Sequence, residues 1–132
     1  MSISLICVSS LAFLSLVLAV AVTLARGKFN VLTGIPSDPS NTLYKLIRAH
    51  DNTVEYAPIL ALLIYILGQN SPSVWVEWFM ILVTFSRYLI VAGIVIPQTL
   101  AKSNPMRFIG AMGTYIFGLA LCFALAQQAI IS

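Results

Sequence analysis

Residues 2–25 read SISLICVSSLAFLSLVLAVAVTLA, a stretch without a single charged side chain. At 1.5 Å per residue, a helix of this length crosses a hydrocarbon layer roughly 30 Å thick. A secretory signal would begin with a basic residue and have a shorter apolar stretch, whereas this run has neither property and is followed by Arg26 and Lys28. The run therefore predicts a retained membrane-spanning helix.

Three more apolar segments follow the first, at 43–68, 74–96 and 106–131, each ended by polar residues or by proline and glycine. Of the 132 residues, 60% are hydrophobic and 8% are charged, whereas a soluble domain carries about 25% charged residues. The runs lack the period-2 alternation of a membrane barrel, and lipid cannot hydrate open strand edges. The sequence predicts one domain over 1–132, an all-α membrane protein folded as a four-transmembrane-helix bundle.

The positive charges predict how the bundle is oriented. With four spans, the 26–42 and 97–105 loops lie on one side, and the opposite side has no lysine or arginine. The positive-inside rule then places these loops in the cytoplasm of a multi-pass protein, in a bacterial inner membrane or the endoplasmic reticulum. No nucleic-acid motif accompanies these charges, so we expect no nucleic-acid partner. The basic residues in or beside the two loops are Arg26, Lys28, Lys45, Lys102 and Arg107.

The two cysteines do not indicate a reactive centre. Cys7 and Cys122 fall in different predicted spans, and neither has a CxxC partner. We interpret both as packing residues. No cluster of histidine and cysteine suggests a metal, and we expect no metal site.

The second segment contains a polar stretch, LYKLIRAHDNTVEYAP at 43–58. A charged side chain near the bilayer centre costs about 2.5 to 3.5 kcal/mol, so such residues usually mark function. At 100° per residue, Arg48, Asn52 and Glu55 lie at about 0°, 40° and −20°, while His50 points almost the other way. We call Arg48, Asn52 and Glu55 the polar stripe. It joins a cation, an amide and a carboxylate over about 10 Å of helix, which suits an extended zwitterionic ligand.

Arg87 in the third segment is expected to meet this stripe. It lies about as far from the loop end of its helix as Asn52 lies from the same end of the second helix. This matched depth predicts that Arg87 pairs with Glu55 or Asp51. The alternative is a buried ion pair that only locks two helices together.

Proline and small residues predict features of helix shape and packing. Pro58 removes a backbone hydrogen bond and is expected to kink the second helix beyond the stripe, which could open a cavity. Gly110, Thr114 and Gly118 recur every four residues in the fourth segment. This small-residue face predicts close helix packing.

The residues around the stripe resemble a known family. RAHDNTVEYAP, at 48–58, is similar to the motif Arg-Ala-Gln/His-x-Asn-x-x-Glu-x-x-Pro in the second helix of MAPEG proteins, the membrane-associated proteins in eicosanoid and glutathione metabolism. The resemblance continues in ARGKFNV (25–31), FSRY (85–88) and NPMRFIG (104–110). It covers most of the chain in order.

This resemblance implies a homotrimer that binds glutathione between neighbouring subunits near the cytoplasmic face, while an electrophile or hydroperoxide arrives from membrane lipid. Glutathione has two carboxylates, one ammonium and one thiol, which require cations, a carboxylate and polar donors. Glutathione would act as co-substrate, without a metal. Carried over by position, the implied glutathione-binding residues are Arg26, Lys45, Arg48, His50, Asn52, Glu55, Tyr56 and Arg87.

The resemblance also implies how the thiol is activated. A cation lowers the pKa of a nearby thiol and so favours the nucleophilic thiolate. Arg107 near the start of the fourth helix is the first candidate, with Lys102 second, and the alternative for both is a charge that only orients the helix. Animal enzymes of the family have a His or Tyr and a Tyr where this chain has Ile90 and Ile94, which argues against a specific eicosanoid synthase.

Three functions remain open from the sequence. The first is a membrane-bound glutathione transferase acting on lipophilic electrophiles, with glutathione peroxidase activity on lipid hydroperoxides. The second is a noncatalytic membrane binding or scaffold protein of the same fold. The third is a small four-helix transporter. A transporter of this kind would need a carboxylate accessible from both sides of the membrane, whereas in this chain cations outnumber acids near the loops.

Overall fold

A computed structural model describes residues 1–131 as four α-helices, and no strand occurs in that range. They are α1 (Ile3–Phe29), α2 (Thr42–Gly68), α3 (Val74–Val95) and α4 (Pro105–Ile131). The predicted all-helical bundle is confirmed. The bounds agree closely with the predicted spans, except that α1 continues past residue 25, so Arg26 and Lys28 belong to its last turn.

The loop between α1 and α2 has a defined start and end. Asn30 ends α1 in the left-handed conformation, with φ 56°, and its N–H donates to the Arg26 carbonyl. At the other end, the Asn41 side-chain oxygen accepts from the backbone N–H of Leu43 at 2.8 Å and of Tyr44 at 3.2 Å. This is an N-cap, and it fixes where α2 begins.

Packing joins the helices mainly in consecutive pairs. α1 packs on α2 and α3 packs on α4, while α3 also contacts both α1 and α2. Within residues 1–131, α1 and α4 are not in contact. The centre of the bundle contains fully buried side chains from every helix, Leu11, Ile64, Met80 and Leu121.

Glycine allows α3 and α4 to approach closely. A Cβ atom at Gly110 would lie 2.7 Å from the Ile90 backbone nitrogen, and one at Gly93 would lie 2.9 Å from the Arg107 Cα. Neither neighbour can move aside, because both are backbone. The packing predicted for the small-residue face of α4 is therefore observed.

The outer surface of the bundle is apolar. α1, α3 and α4 are long and apolar enough to cross a membrane, and large side chains such as Leu24, Leu119 and Phe123 are exposed on the outside. Soluble proteins rarely expose so much continuous apolar surface. α2 is as long as α1 and α4, and we expect it to cross with them although its first half is polar.

The two longer loops meet at one end of the bundle. The Leu100 N–H donates to the Pro39 carbonyl at 3.1 Å, and Lys45 Nζ donates to the Pro97 carbonyl at 2.9 Å. Because these bonds join the two loops, the basic residues in and beside the loops lie at one end of the bundle, as predicted. Which compartment that end faces stays a prediction.

Candidate functional site

Arg87 lies at the centre of the polar residues. It is 1% exposed. One guanidinium nitrogen donates to the Asn52 carbonyl at 3.0 Å and to the Asn52 side-chain oxygen, and the other donates to Thr114 Oγ1 at 3.3 Å. A planar guanidinium can satisfy several acceptors in fixed directions, so this single residue of α3 connects α2 and α4.

The predicted pairing of Arg87 with Glu55 or Asp51 is wrong. Within residues 1–131, the Arg87 side chain donates to no carboxylate, although the matched depth of Arg87 and Asn52 is confirmed. The reason is the position of each residue around α2. Asn52 is the member of the stripe that faces Arg87. Glu55 is exposed, and Asp51 is half-buried and lies farther around the helix from Asn52. The alternative of a buried ion pair is not observed within residues 1–131 either, and Arg87 joins the helices through neutral acceptors instead.

Two tyrosines extend this arrangement. The Arg87 guanidinium carbon lies 4.8 Å from the centre of the Tyr56 ring, a cation–π distance. The Tyr56 hydroxyl lies 3.4 Å from the Tyr115 hydroxyl. We call Asn52, Tyr56, Arg87, Thr114 and Tyr115 the Arg87 cluster.

Two members of this cluster, Thr114 and Tyr115, are not among the site residues that the sequence predicts. The sequence predicts only a packing role for Thr114, yet its hydroxyl accepts from Arg87 while donating to the Gly110 carbonyl at 2.8 Å. Tyr115 was not singled out. The sequence feature that could have identified Tyr115 is a phenol well inside an apolar helix, next to Thr114 on the packing face.

Two charges of the polar stripe point out of the bundle. Arg48 and Glu55 are exposed, on the side of α2 opposite its buried Leu43 and Ala57. Neither makes a hydrogen bond or an ion pair within residues 1–131. The outer face of α2 therefore presents a cation and a carboxylate that have no direct hydrogen-bond or ion-pair partner within residues 1–131, beside the Arg87 cluster.

His50 and Asp51 are not brought into the cluster. Both are half-buried. His50 lies on the same side of α2 as Leu43, which packs with Ala25 of α1. The prediction that His50 points away from the stripe is thus confirmed within the subunit.

Three of the predicted ligand-binding or catalytic cations are engaged with backbone carbonyls of the two loops. Arg26 donates to the Gly34 carbonyl at 2.8 Å and to the Val31 carbonyl at 3.3 Å. Lys45 is bound to Pro97 as described above, and Arg107 donates to the Leu100 carbonyl at 3.4 Å and the Lys102 carbonyl at 3.2 Å. These cations hold the loops in place, and the structure does not bring them to the Arg87 cluster. The ammonium group of Lys102 is free of such contacts in the described chain.

Ile90 and Ile94 belong to the apolar core. They are 4% and 5% exposed and pack with Leu14, Leu18 and Ala49. α3 therefore offers no polar side chain at these positions, and the phenol closest to Tyr56 comes from α4.

An apolar groove of about 330 Å³ lies between α1 and α2 beside Pro58. It is lined by Val8, Leu11, Ala12, Ser15, Leu16, Ala57, Pro58 and Ala61. α2 continues through Pro58 without a break in helix assignment, so the kink stays a prediction. Within residues 1–131, no group of three or more His, Cys, Asp or Glu side chains is placed to hold a metal ion.

Together, the stripe and the cluster provide complementary chemistry for a polar ligand. Arg48 and Glu55 are separated by about 10 Å along the helix and offer opposite charges at the surface. Asn52, Tyr56 and Tyr115 supply neutral polar atoms beside them, and Arg87 adds a buried positive charge. This pattern suits an elongated zwitterion that carries an additional group able to become an anion.

The comparisons with known proteins identify the family. The model of the MAPEG family matches residues 4–127 of the 132-residue chain, so the chain belongs to the MAPEG family. The match includes the polar stripe, the Arg87 cluster and Arg107. Neither the search of curated proteins nor the search of solved structures gave a match.

Proposed function

We propose that this MAPEG protein is a membrane-bound glutathione transferase, which conjugates glutathione to lipophilic electrophiles and reduces lipid hydroperoxides with the same thiol. The observation that carries the proposal is the pair of exposed charges on α2, Arg48 and Glu55, which have no ion-pair partner within residues 1–131 and lie next to the Arg87 cluster. The family includes glutathione transferases and also members without enzymatic activity.

Glutathione fits this pair because of its charges. Arg48 would bind a glutathione carboxylate in a bidentate manner, and Glu55 would bind the ammonium group. Asn52 is partly engaged with Arg87, so its remaining hydrogen-bonding capacity and the Tyr56 hydroxyl would contact the peptide part. Each charge facing lipid costs about 2.5 to 3.5 kcal/mol, and a zwitterionic ligand offsets this cost.

A neighbouring subunit would complete the site. One small ligand cannot cover the whole outer face of a helix, and lipid is a poor partner for Arg48 and Glu55. We therefore propose a homotrimer in which a second subunit covers this face and glutathione lies between subunits. The shared arrangement provides a role for His50, which points away from the stripe of its own subunit.

Activation of the thiol is assigned first to Arg107. It is half-buried, and the carbonyls that it contacts are neutral, so they attract the guanidinium less strongly than a thiolate of opposite charge does. A thiolate could therefore replace them. Lys102 is the second candidate, and Arg26 and Lys45 would contribute cations at the same cytoplasmic end.

One observation favours a noncatalytic protein as the second candidate. Ile90 and Ile94 are core residues, so α3 supplies no phenol or imidazole to the thiol. The test is conjugation of a generic aryl halide by detergent-purified protein, with and without glutathione. A transferase gives glutathione-dependent product above the uncatalysed rate, whereas a binding protein gives a glutathione-dependent rise in thermal midpoint and no product.

A further inference from the structure

The Tyr115 hydroxyl lies about halfway across the apolar layer and close to the outer surface of the helix bundle. Tyr115 is ten residues after Pro105, the first residue of α4, or about 15 Å along a helix that crosses a layer of roughly 30 Å. Its side chain is 45% exposed, and it follows Thr114 of the Arg87 cluster directly in sequence. Tyrosine hydroxyls in membrane proteins usually lie at the headgroup level, so a phenol at mid-depth is unusual.

This hydroxyl is placed to give up a proton. Its hydrogen-bond partner in the described chain is the Tyr56 hydroxyl, at 3.4 Å, and the Tyr56 ring stacks under the Arg87 guanidinium. If Tyr115 lost its proton, the Tyr56 O–H could donate to the resulting phenolate. The buried charge of Arg87 nearby would stabilise that anion further, because few water molecules screen it.

We propose, on the basis of the proposed function, that Tyr115 is the general acid for reduction of lipid hydroperoxides. The glutathione thiolate attacks the terminal oxygen of the hydroperoxide, so an S–O bond forms and the O–O bond breaks. The electron pair leaves on the alkyl oxygen, which takes the Tyr115 proton and becomes an alcohol. A second glutathione converts the sulfenic acid to glutathione disulfide and water, and the proton released when the first thiol ionised restores Tyr115.

The choice of Tyr115 rests on position. Among the hydroxyl-bearing residues of the Arg87 cluster, Tyr115 is exposed, whereas Tyr56 is half-buried and Thr114 is buried. A hydroperoxide dissolved in lipid reaches Tyr115 first, because this residue lies on the outer face beside the exposed Ile116 and Leu119. Conjugation to an aryl halide requires no such proton, since the halide leaves as a stable anion.

The difference between the two reactions gives the test. Purified wild type, Tyr115→Phe and Tyr65→Phe are assayed with a fatty-acid hydroperoxide and with an aryl halide, at equal glutathione. Tyr65 is the matched control, being 47% exposed in the far half of α2. General acids typically contribute about 10²-fold or more. We therefore expect the ratio of hydroperoxide reduction to aryl-halide conjugation to fall at least about tenfold in Tyr115→Phe and to stay at the wild-type value in Tyr65→Phe.

Other outcomes separate this inference from the proposed function. An unchanged ratio in Tyr115→Phe, or an equal fall in both reactions, overturns the role of Tyr115 while the transferase stands. A wild type that conjugates the aryl halide but reduces no hydroperoxide also overturns the role of Tyr115 while the transferase stands. A wild type that turns over neither substrate overturns the proposed function and this inference together.

Discussion

The outer faces of α1 and α2 differ although the two helices have the same length and pack on each other. α1 exposes Leu16, Val20 and Leu24, which are 58 to 69% exposed and suited to lipid. α2 exposes Arg48 and Glu55. Lipid can cover the first face at no electrostatic cost, but the second needs polar partners. The helix with the least favourable membrane composition is therefore the one that we expect to bind the ligand.

The largest expected effect follows from removing either charge of α2. Arg48→Ala and Glu55→Ala should each abolish the rise in thermal midpoint caused by glutathione. A ligand present at 100 times its Kd adds about 2.7 kcal/mol of stability if it binds only the folded protein. The measurement is thermal unfolding in detergent with and without glutathione.

Leu24→Ala on α1 is the control for these two variants. It removes an exposed side chain of the other face and should leave the glutathione-dependent shift intact. If both α2 variants kept the full shift, Arg48 and Glu55 would lie outside the binding site. If either variant failed to fold without ligand, the charges would be structural.

The next effect concerns the buried cation. Arg87→Lys should lower the free energy of unfolding by about 2 to 3 kcal/mol, since a lysine cannot reach both Asn52 and Thr114 and leaves buried acceptors unpaired. Arg48→Lys should change it by less than about 0.5 kcal/mol, because Arg48 is exposed. Thermal or denaturant unfolding in detergent measures both, and equal losses would contradict the difference in burial.

The sequence predicts the fold well because long apolar runs leave few alternatives in a membrane. Counting residues from the loop ends also predicts that Arg87 and Asn52 share a depth. The sequence does not predict which residue of α2 accepts hydrogen bonds from Arg87. That choice depends on how α2 is rotated against α3, and packing over the whole bundle sets this rotation.

The loop contacts of these cations could not be predicted either. Arg26 and Arg107 have the position expected for ligand-binding charges, yet each is engaged with carbonyls of an irregular loop. Loop conformation leaves no periodic signal in sequence. Tyr115 was missed for a related reason, because its contact with Tyr56 joins residues that are far apart in the chain.

A smaller effect is expected for thiol activation. Arg107→Ala should leave glutathione binding largely intact but raise the pKa of the bound thiol, because a nearby cation favours the thiolate. The ultraviolet absorbance of the thiolate is followed against pH for wild type, Arg107→Ala and Lys102→Ala. If only Lys102→Ala moved the titration upward, the role would pass to that lysine, and if neither did, Arg87 would be the next candidate.

The smallest effect is expected at the loop end of α1. A Cβ atom at Gly27 would meet no atom within 4 Å, so Gly27→Ala should raise the free energy of unfolding by up to about 1 kcal/mol through a less flexible unfolded chain. The glutathione-dependent shift should not change. Thermal unfolding tests this, and loss of the shift would mean that this turn of α1 forms part of the binding surface.

We propose that the charged outer face of α2 is a glutathione-binding surface between subunits. Mass spectrometry of the intact protein released from detergent, with and without glutathione, tests it most directly. We predict trimers that retain glutathione in the wild type, and trimers without retained glutathione in Glu55→Ala. Monomers or dimers alone would contradict the shared interface, and equal retention of glutathione by both proteins would contradict the binding surface.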